Sequence, residues 1–101
     1  MPSDFRQLKE IGVEAAQALI QKGFDGILLD VREPQEHAWA HLKGSTLAPL
    51  SELPEHLDSL PRNLPYLIYC KVGQRSAHAG SMMLEAGFED ITTLSGGIID
   101  W

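Results

Sequence analysis

Cysteine is nearly absent from this chain: Cys70 is the only one in 101 residues. An internal disulfide is therefore excluded, and a reducing compartment is the expected setting. Positive charge is also scarce. Eight lysines and arginines face fourteen aspartates and glutamates, for a net charge of −6. A surface that acidic argues against broad contact with nucleic acid or with anionic membranes. No apolar run approaches the ~18 residues of a spanning helix, and Met1-Pro2-Ser3-Asp4 starts no basic-then-apolar leader. The expectation is a cytoplasmic protein. Repeats, low-complexity tracts and internal linkers are missing too. What remains is one domain over residues 1–101, with an ordinary hydrophobic content of 44%.

Short apolar runs alternate with helical patterns along the chain. Leu8–Ile11, Ile27–Val31, Ser45–Ala48, Tyr66–Tyr69 and Asp90–Leu94 read as strands. Ile27–Val31 is apolar enough to be covered on both faces, as parallel strands are. Val13–Gln21 carries the helical period, with Gly12 at its start and Gly23 at its end. Pro34 fits the first turn of a short helix through Ala38, where its missing N–H is not needed. Leucines at helical spacing from Leu50 to Leu60 predict a further helix, and Ala77–Ala86 reads as another, closed by Gly87. Strands alternating with helices predict an α/β fold with a parallel sheet.

Two histidines, His37 and His41, stand four apart. Ala38 occupies the place where the metalloprotease pattern His-Glu-x-x-His needs its glutamate, so hydrogen bonding to the backbone is the preferred reading. No metal and no organic cofactor is expected.

The stretch with the most chemistry is Cys70-Lys71-Val72-Gly73-Gln74-Arg75-Ser76. It joins the end of an apolar strand to the start of a helix, the place where open α/β sheets bind ligands. Successive N–H groups in a tight turn form an anion nest, and a helix N-terminus adds donors and the positive end of its dipole. Gly73 gives the turn its freedom. Lys71 and Arg75 add two formal charges. All of these favour a thiolate over a thiol at Cys70. A lone cysteine after an apolar run is more often a small hydrophobe, but that reading leaves the lysine, glycine and arginine unexplained.

This loop resembles the active-site loop of the rhodanese family, sulfurtransferases that carry sulfur as a cysteine persulfide. Asp30-Val31-Arg32 is similar to the family's Asp-x-Arg strand end. His41-Leu42-Lys43-Gly44 is similar to its His-x-x-Gly segment, and Gly96-Gly97 through Trp101 to its Gly-Gly-x-x-x-Trp ending. The resemblance implies a single-domain rhodanese-like fold, a five-stranded parallel sheet with the fourth strand central and helices on both faces. Lys71 stands where an arginine is often found, keeping the charge without the planar fork. In the family a final helix follows the Gly-Gly segment. The chain stops at Trp101, so a trimmed domain, or one that manages without that helix, is expected.

The implied activity is transfer of sulfane sulfur from thiosulfate or a similar anionic donor to a thiophilic acceptor: cyanide, a thiol or a protein. Cys70 is the expected nucleophile. Lys71 and Arg75 are expected to attract the donor, and the backbone from Lys71 through Val72, Gly73, Gln74 and Arg75 to Ser76 to stabilise the persulfide. Asp30 and Arg32 are expected to support the loops. A cysteine-dependent phosphatase or arsenate reductase is one rival. Its Cys-x5-Arg signature has one residue more than the four between Cys70 and Arg75. A non-catalytic or sulfur-relay interaction domain on the same scaffold is the other.

Overall fold

The computed structural model describes residues 8–101; the Met1–Asp4 segment lies outside them. Five strands form one sheet: β1 (Lys9–Ile11), β2 (Ile27–Asp30), β3 (Thr46–Leu47), β4 (Pro65–Tyr69) and β5 (Asp90–Leu94). Their order is β1-β5-β4-β2-β3, and every pairing is parallel. The expected five-stranded parallel sheet is present, with β4 at its centre.

The period of two along β4 divides the core between the two faces. Tyr66 and Ile68 pack with Leu53, Ala79, Met83 and Phe88. Leu67 and Tyr69 pack with Ala16 and Leu94. Helix α1 (Val13–Gln21) therefore covers one face, while α3 (Leu53–His56) and α4 (Gln74–Glu85) cover the other. Full burial of a side chain such as Met83 contributes about 1.5–3 kcal/mol. Gly80 lets α4 lie close to the sheet, since a Cβ there would sit 2.6 Å from Leu8 Cδ1 and 3.1 Å from Thr93 Cγ2. Among the described residues, no helix is long and apolar enough to cross a membrane.

Two helices differ from the sequence expectation. The segment from Leu50 to Leu60 is not one helix: 3-10 turns at Leu50–Glu52 and Leu57–Ser59 flank the four residues of α3. Pro54 has no N–H to bond the Leu50 carbonyl, so a ladder begun at Leu50 cannot run through it. Leu50, Leu53, Leu57 and Leu60 still face the core. Helix α4 begins at Gln74, three residues before the expected Ala77. Gly73, at φ 102°, turns the chain at once, and the Ala77 N–H reaches the Gly73 carbonyl at 3.2 Å.

At the C-terminal end of β2 the buried Asp30 organises the next ten residues of the chain. Its carboxylate takes Arg32 Nε at 2.9 Å, Arg32 Nη2 at 2.7 Å and the Arg32 backbone N–H at 3.0 Å. His37 Nδ1 lies 2.8 Å from Asp30 Oδ2. Arg32 Nη2 also donates to the Ala40 carbonyl at 2.6 Å. Helix α2 (Pro34–Trp39) is thereby held from beneath at its middle and just past its end. Burial pushes the Asp30 carboxyl up, but the hydrogen bonds from Arg32 and His37 outweigh it, and the net direction is down. Asp30 pairs with Tyr69 across the ladder, one residue before Cys70.

Asp30→Ala leaves the Arg32 guanidinium buried and unpaired, so we expect a loss of about 3–5 kcal/mol in urea unfolding. Replacing both, as Asp30→Leu with Arg32→Met, is expected to recover most of that. A single-variant loss under about 1 kcal/mol would mean that the pair does not hold α2.

Candidate active site

Cys70 follows the last residue of β4 and is fully buried. The chain then turns through Lys71 and Val72 to Gly73, which caps α4. This short turn folds the first helical residues back over the cysteine. The Gly73 N–H donates to Cys70 Sγ at 3.0 Å and the Ser76 N–H at 3.3 Å. The thiol donates to Ser76 Oγ at 3.5 Å, and the Ser76 hydroxyl donates to the Gly73 carbonyl at 3.1 Å. Once the thiol proton leaves, the sulfur becomes an acceptor only, with two N–H donors and a helix N-terminus already aimed at it.

A second segment braces the loop from outside. The Ile98 N–H donates to the Cys70 carbonyl at 2.8 Å and the Ile99 N–H to the Lys71 carbonyl at 3.1 Å. These bonds require Gly97 to lie against the loop backbone. A Cβ at Gly97, whose φ is 75°, would collide with the Lys71 carbonyl. The Gly-Gly segment is thus a contact surface for the cysteine loop.

Arg75, expected with Lys71 to attract the donor, has an acidic partner in the fold. Its guanidinium forms a fork with Glu36 of α2, Nη1 to Oε1 at 2.7 Å and Nη2 to Oε2 at 3.0 Å. The charge is matched within the protein, so Arg75 serves as a tie between α2 and α4. Lys71, Val72 and Gln74 are exposed on the rim, and Lys71 has no charged partner among the described residues. The loop therefore brings Cys70, Gly73 and Ser76 together at the sulfur and leaves Lys71 free. Asp30 and Arg32 make no hydrogen bond to the loop; they reach it through α2 and through Tyr69, the residue before Cys70, whose ring lies under the Arg32 guanidinium at 5.4 Å.

Glu36 is the residue that sequence reasoning missed. Its Oε1 also accepts the Glu33 N–H at 2.8 Å, capping α2 from within. The signal was present as Glu33-Pro34-Gln35-Glu36, a box-like helix start, but its second role depends on α4. His37 and His41 stack with ring centroids 3.8 Å apart, and His41 Nδ1 bonds the His37 carbonyl at 2.7 Å. No group of three metal-binding side chains occurs among the described residues. An open cleft of about 450 Å³ lies beside the loop, lined by Arg32, Glu36, Trp39, Lys71, Ile98 and Ile99 among others.

The Arg75 guanidinium holds the Glu36 carboxyl down at about 2, with a smaller contribution from the Glu33 N–H. A carboxyl lowered on folding contributes stability above its unfolded value and loses it as pH falls through the folded one. The stability gap between wild type and Glu36→Gln should therefore be full above about pH 5 and close towards about pH 2. Chemical unfolding across that range measures it, and a gap independent of pH would show that no charge interaction is involved.

The model of the rhodanese-like domain matches residues 13–101. The chain is 42% identical over 76 residues to the probable adenylyltransferase/sulfurtransferase MoeZ of Mycobacterium tuberculosis, covering 73% of this chain and 19% of that protein. The chain thus spans about a fifth of that relative's length. It is 30% identical to the thiosulfate sulfurtransferase GlpE of Pseudomonas fluorescens, over 94% of this chain and 85% of that one. A rhodanese-related protein from Thermoplasma volcanium superposes with a TM-score of 0.81 at 31% identity, covering 92% and 89% of the two chains. With the fold, the cysteine loop and these relatives in agreement, the chain belongs to the rhodanese-like domain family, which includes sulfurtransferases.

Proposed function

We propose that this protein takes sulfane sulfur from thiosulfate or a similar anionic donor onto Cys70 and passes it to a thiophilic acceptor. The observation that carries this reading is the pair of N–H donors, from Gly73 and Ser76, converging on Cys70 Sγ. The Cys70 thiolate attacks the outer sulfur of thiosulfate. The donor's S–S bond breaks and its electron pair leaves with sulfite. The product is the persulfide Cys70–S–S⁻, with one more sulfur in the loop. The N–H groups of Val72, Gln74 and Arg75 have no acceptor among the described residues and are available to the charge on that outer sulfur. Cyanide, or a thiolate in a cell, then attacks the outer sulfur and regenerates the Cys70 thiolate. Sulfite leaves as an anion, so no general acid is needed. Lys71 is the cation that draws the donor in.

Residues 1–101 act in this reading as one rhodanese-like domain, in the cytoplasm, where a lone catalytic cysteine stays reduced. A second reading, sulfur relay within a larger assembly, is favoured by the likeness to MoeZ, in which the matched part is a minor share of the chain. A relay domain would hold the same persulfide and differ in its acceptor.

Intact mass after incubation with thiosulfate is expected to show one added sulfur atom, lost on adding cyanide and never gained by Cys70→Ser. An activated aryl phosphate should be untouched. Cys70-dependent hydrolysis of it, without sulfur uptake, would replace this reading with phosphate chemistry.

One glycine inserted after Gly73 moves the Ser76 N–H away from the sulfur. Displacing reacting groups by an ångström loses on the order of a hundredfold in rate. Sulfur transfer should fall by about that much, and an unchanged rate would remove the two N–H donors from the mechanism.

A further inference from the structure

His37 and His41 have no role in the proposed transfer, and neither lines the cleft beside the loop. Their rings stack at the C-terminal end of α2, with centroids 3.8 Å apart and planes 9° from parallel. Each Nδ1 has a partner that fixes the ring's tautomer. His37 Nδ1 lies 2.8 Å from Oδ2 of the ionised Asp30 carboxylate, which only accepts, so the nitrogen carries the proton. His41 Nδ1 lies 2.7 Å from the His37 carbonyl, also an acceptor, and carries its proton too. A neutral ring of this tautomer keeps its lone pair on Nε2. Neither Nε2 has a bond among the described residues. Every buried side-chain nitrogen there has a partner, so the Nε2 of the half-buried His37 opens to solvent. His41 is exposed. The backbone bond expected from the sequence thus accounts for one nitrogen of His41 and leaves two lone pairs, one on each ring, without a use.

We propose that the His37–His41 pair binds a divalent late transition-metal ion, of the class of Ni2+, Cu2+ and Zn2+, through the two Nε2 atoms. A histidine that ligates a metal characteristically donates its other N–H to a carboxylate or a backbone carbonyl, which orients the ring and raises its basicity. Both rings have such an outer partner, one of each kind. Ala38 excludes the metalloprotease pattern and leaves a two-histidine site untouched. Imidazole nitrogen suits these ions, whereas Mg2+ and Ca2+ take oxygen. The ring of His37 is fixed on Asp30. The exposed ring of His41 tilts out of the stack to bring its Nε2 onto an ion about 2.0–2.1 Å away. Water fills the remaining positions. With no proton on either Nε2, the ion displaces only water from the rings. An ion so held joins the last turn of α2 to the segment that leads into β3, and stabilises the folded chain by mass action.

Calorimetric titration of Ni2+ into wild type, His37→Asn and His41→Asn, with thermal melts of each protein in its presence and absence, tests the site. Asparagine keeps an N–H near the Nδ1 position, so the bonds to Asp30 and to the His37 carbonyl are retained, and it removes Nε2. Wild type should bind one Ni2+ per chain and give no heat with Mg2+. Each variant should lose at least about tenfold in affinity, the loss that removing even an outer partner of a ligand brings. Ni2+ should raise the melting temperature of wild type and of neither variant. Cys70→Ser should bind the ion as wild type does. Should His37→Asn fail to fold, His41→Asn decides alone. Equal binding by wild type and His41→Asn, or none by wild type, overturns the site. Binding lost with Cys70→Ser places the ion on the thiolate and overturns it as well.

Discussion

The arrangement around Cys70 depends on the buried carboxylate of Asp30. A charge at that depth is tolerated only if its oxygens are filled, and Arg32 and His37 fill them. In doing so they fix a helix of six residues, α2, too short to hold itself. Arg32 reaches past that helix to the Ala40 carbonyl, so one guanidinium both neutralises the strand end and ends the helix. Helix α2 in turn presents Glu36 to Arg75 on the first turn of α4. The path from Asp30 to the cysteine loop is thus a series of charge-assisted bonds, each holding the element that carries the next.

The loop itself is set by backbone. Gly73 makes the turn that starts α4 early, and that turn aims two N–H groups at the sulfur. Gly97 permits the segment after it to lie on the Lys71–Val72 backbone and donate to two loop carbonyls. The loop's carbonyls are thereby bound on the outside, leaving its N–H groups free for the inside. Such preorganised donors are what the proposed transfer uses in place of a side-chain base. With Arg75 matched by Glu36, Lys71 is the charge that the proposed reading gives to recruiting the donor. A single flexible ammonium gives attraction without the bidentate grip of an arginine.

Much of this was legible in the residues because it is local. The apolar run Tyr66–Tyr69, the helix period before Gly87 and the cysteine, glycine and basic residues between them mark a strand, a nest and a helix on their own. The alternation of elements required a parallel sheet, and the loop count between Cys70 and Arg75 favoured sulfur over phosphate. Pro54 was equally local, yet the leucine spacing around it masked its effect, since those leucines reach the core whether the segment is one helix or three turns.

Long-range matters needed the tertiary structure. The sequence places Glu36 and Arg75 thirty-nine residues apart, and only the crossing of α2 over the start of α4 makes them a pair. Arg75 therefore reads as a free cation in the chain and is a tied one in the fold. Trp39 and Ile99 meet at one cleft for the same reason. By itself the sequence determined the cysteine loop and the class of fold, because hydrophobic period and backbone freedom act between near neighbours. The tertiary structure decided which charges remain available at the site, because a charge is free or matched only through what is packed against it.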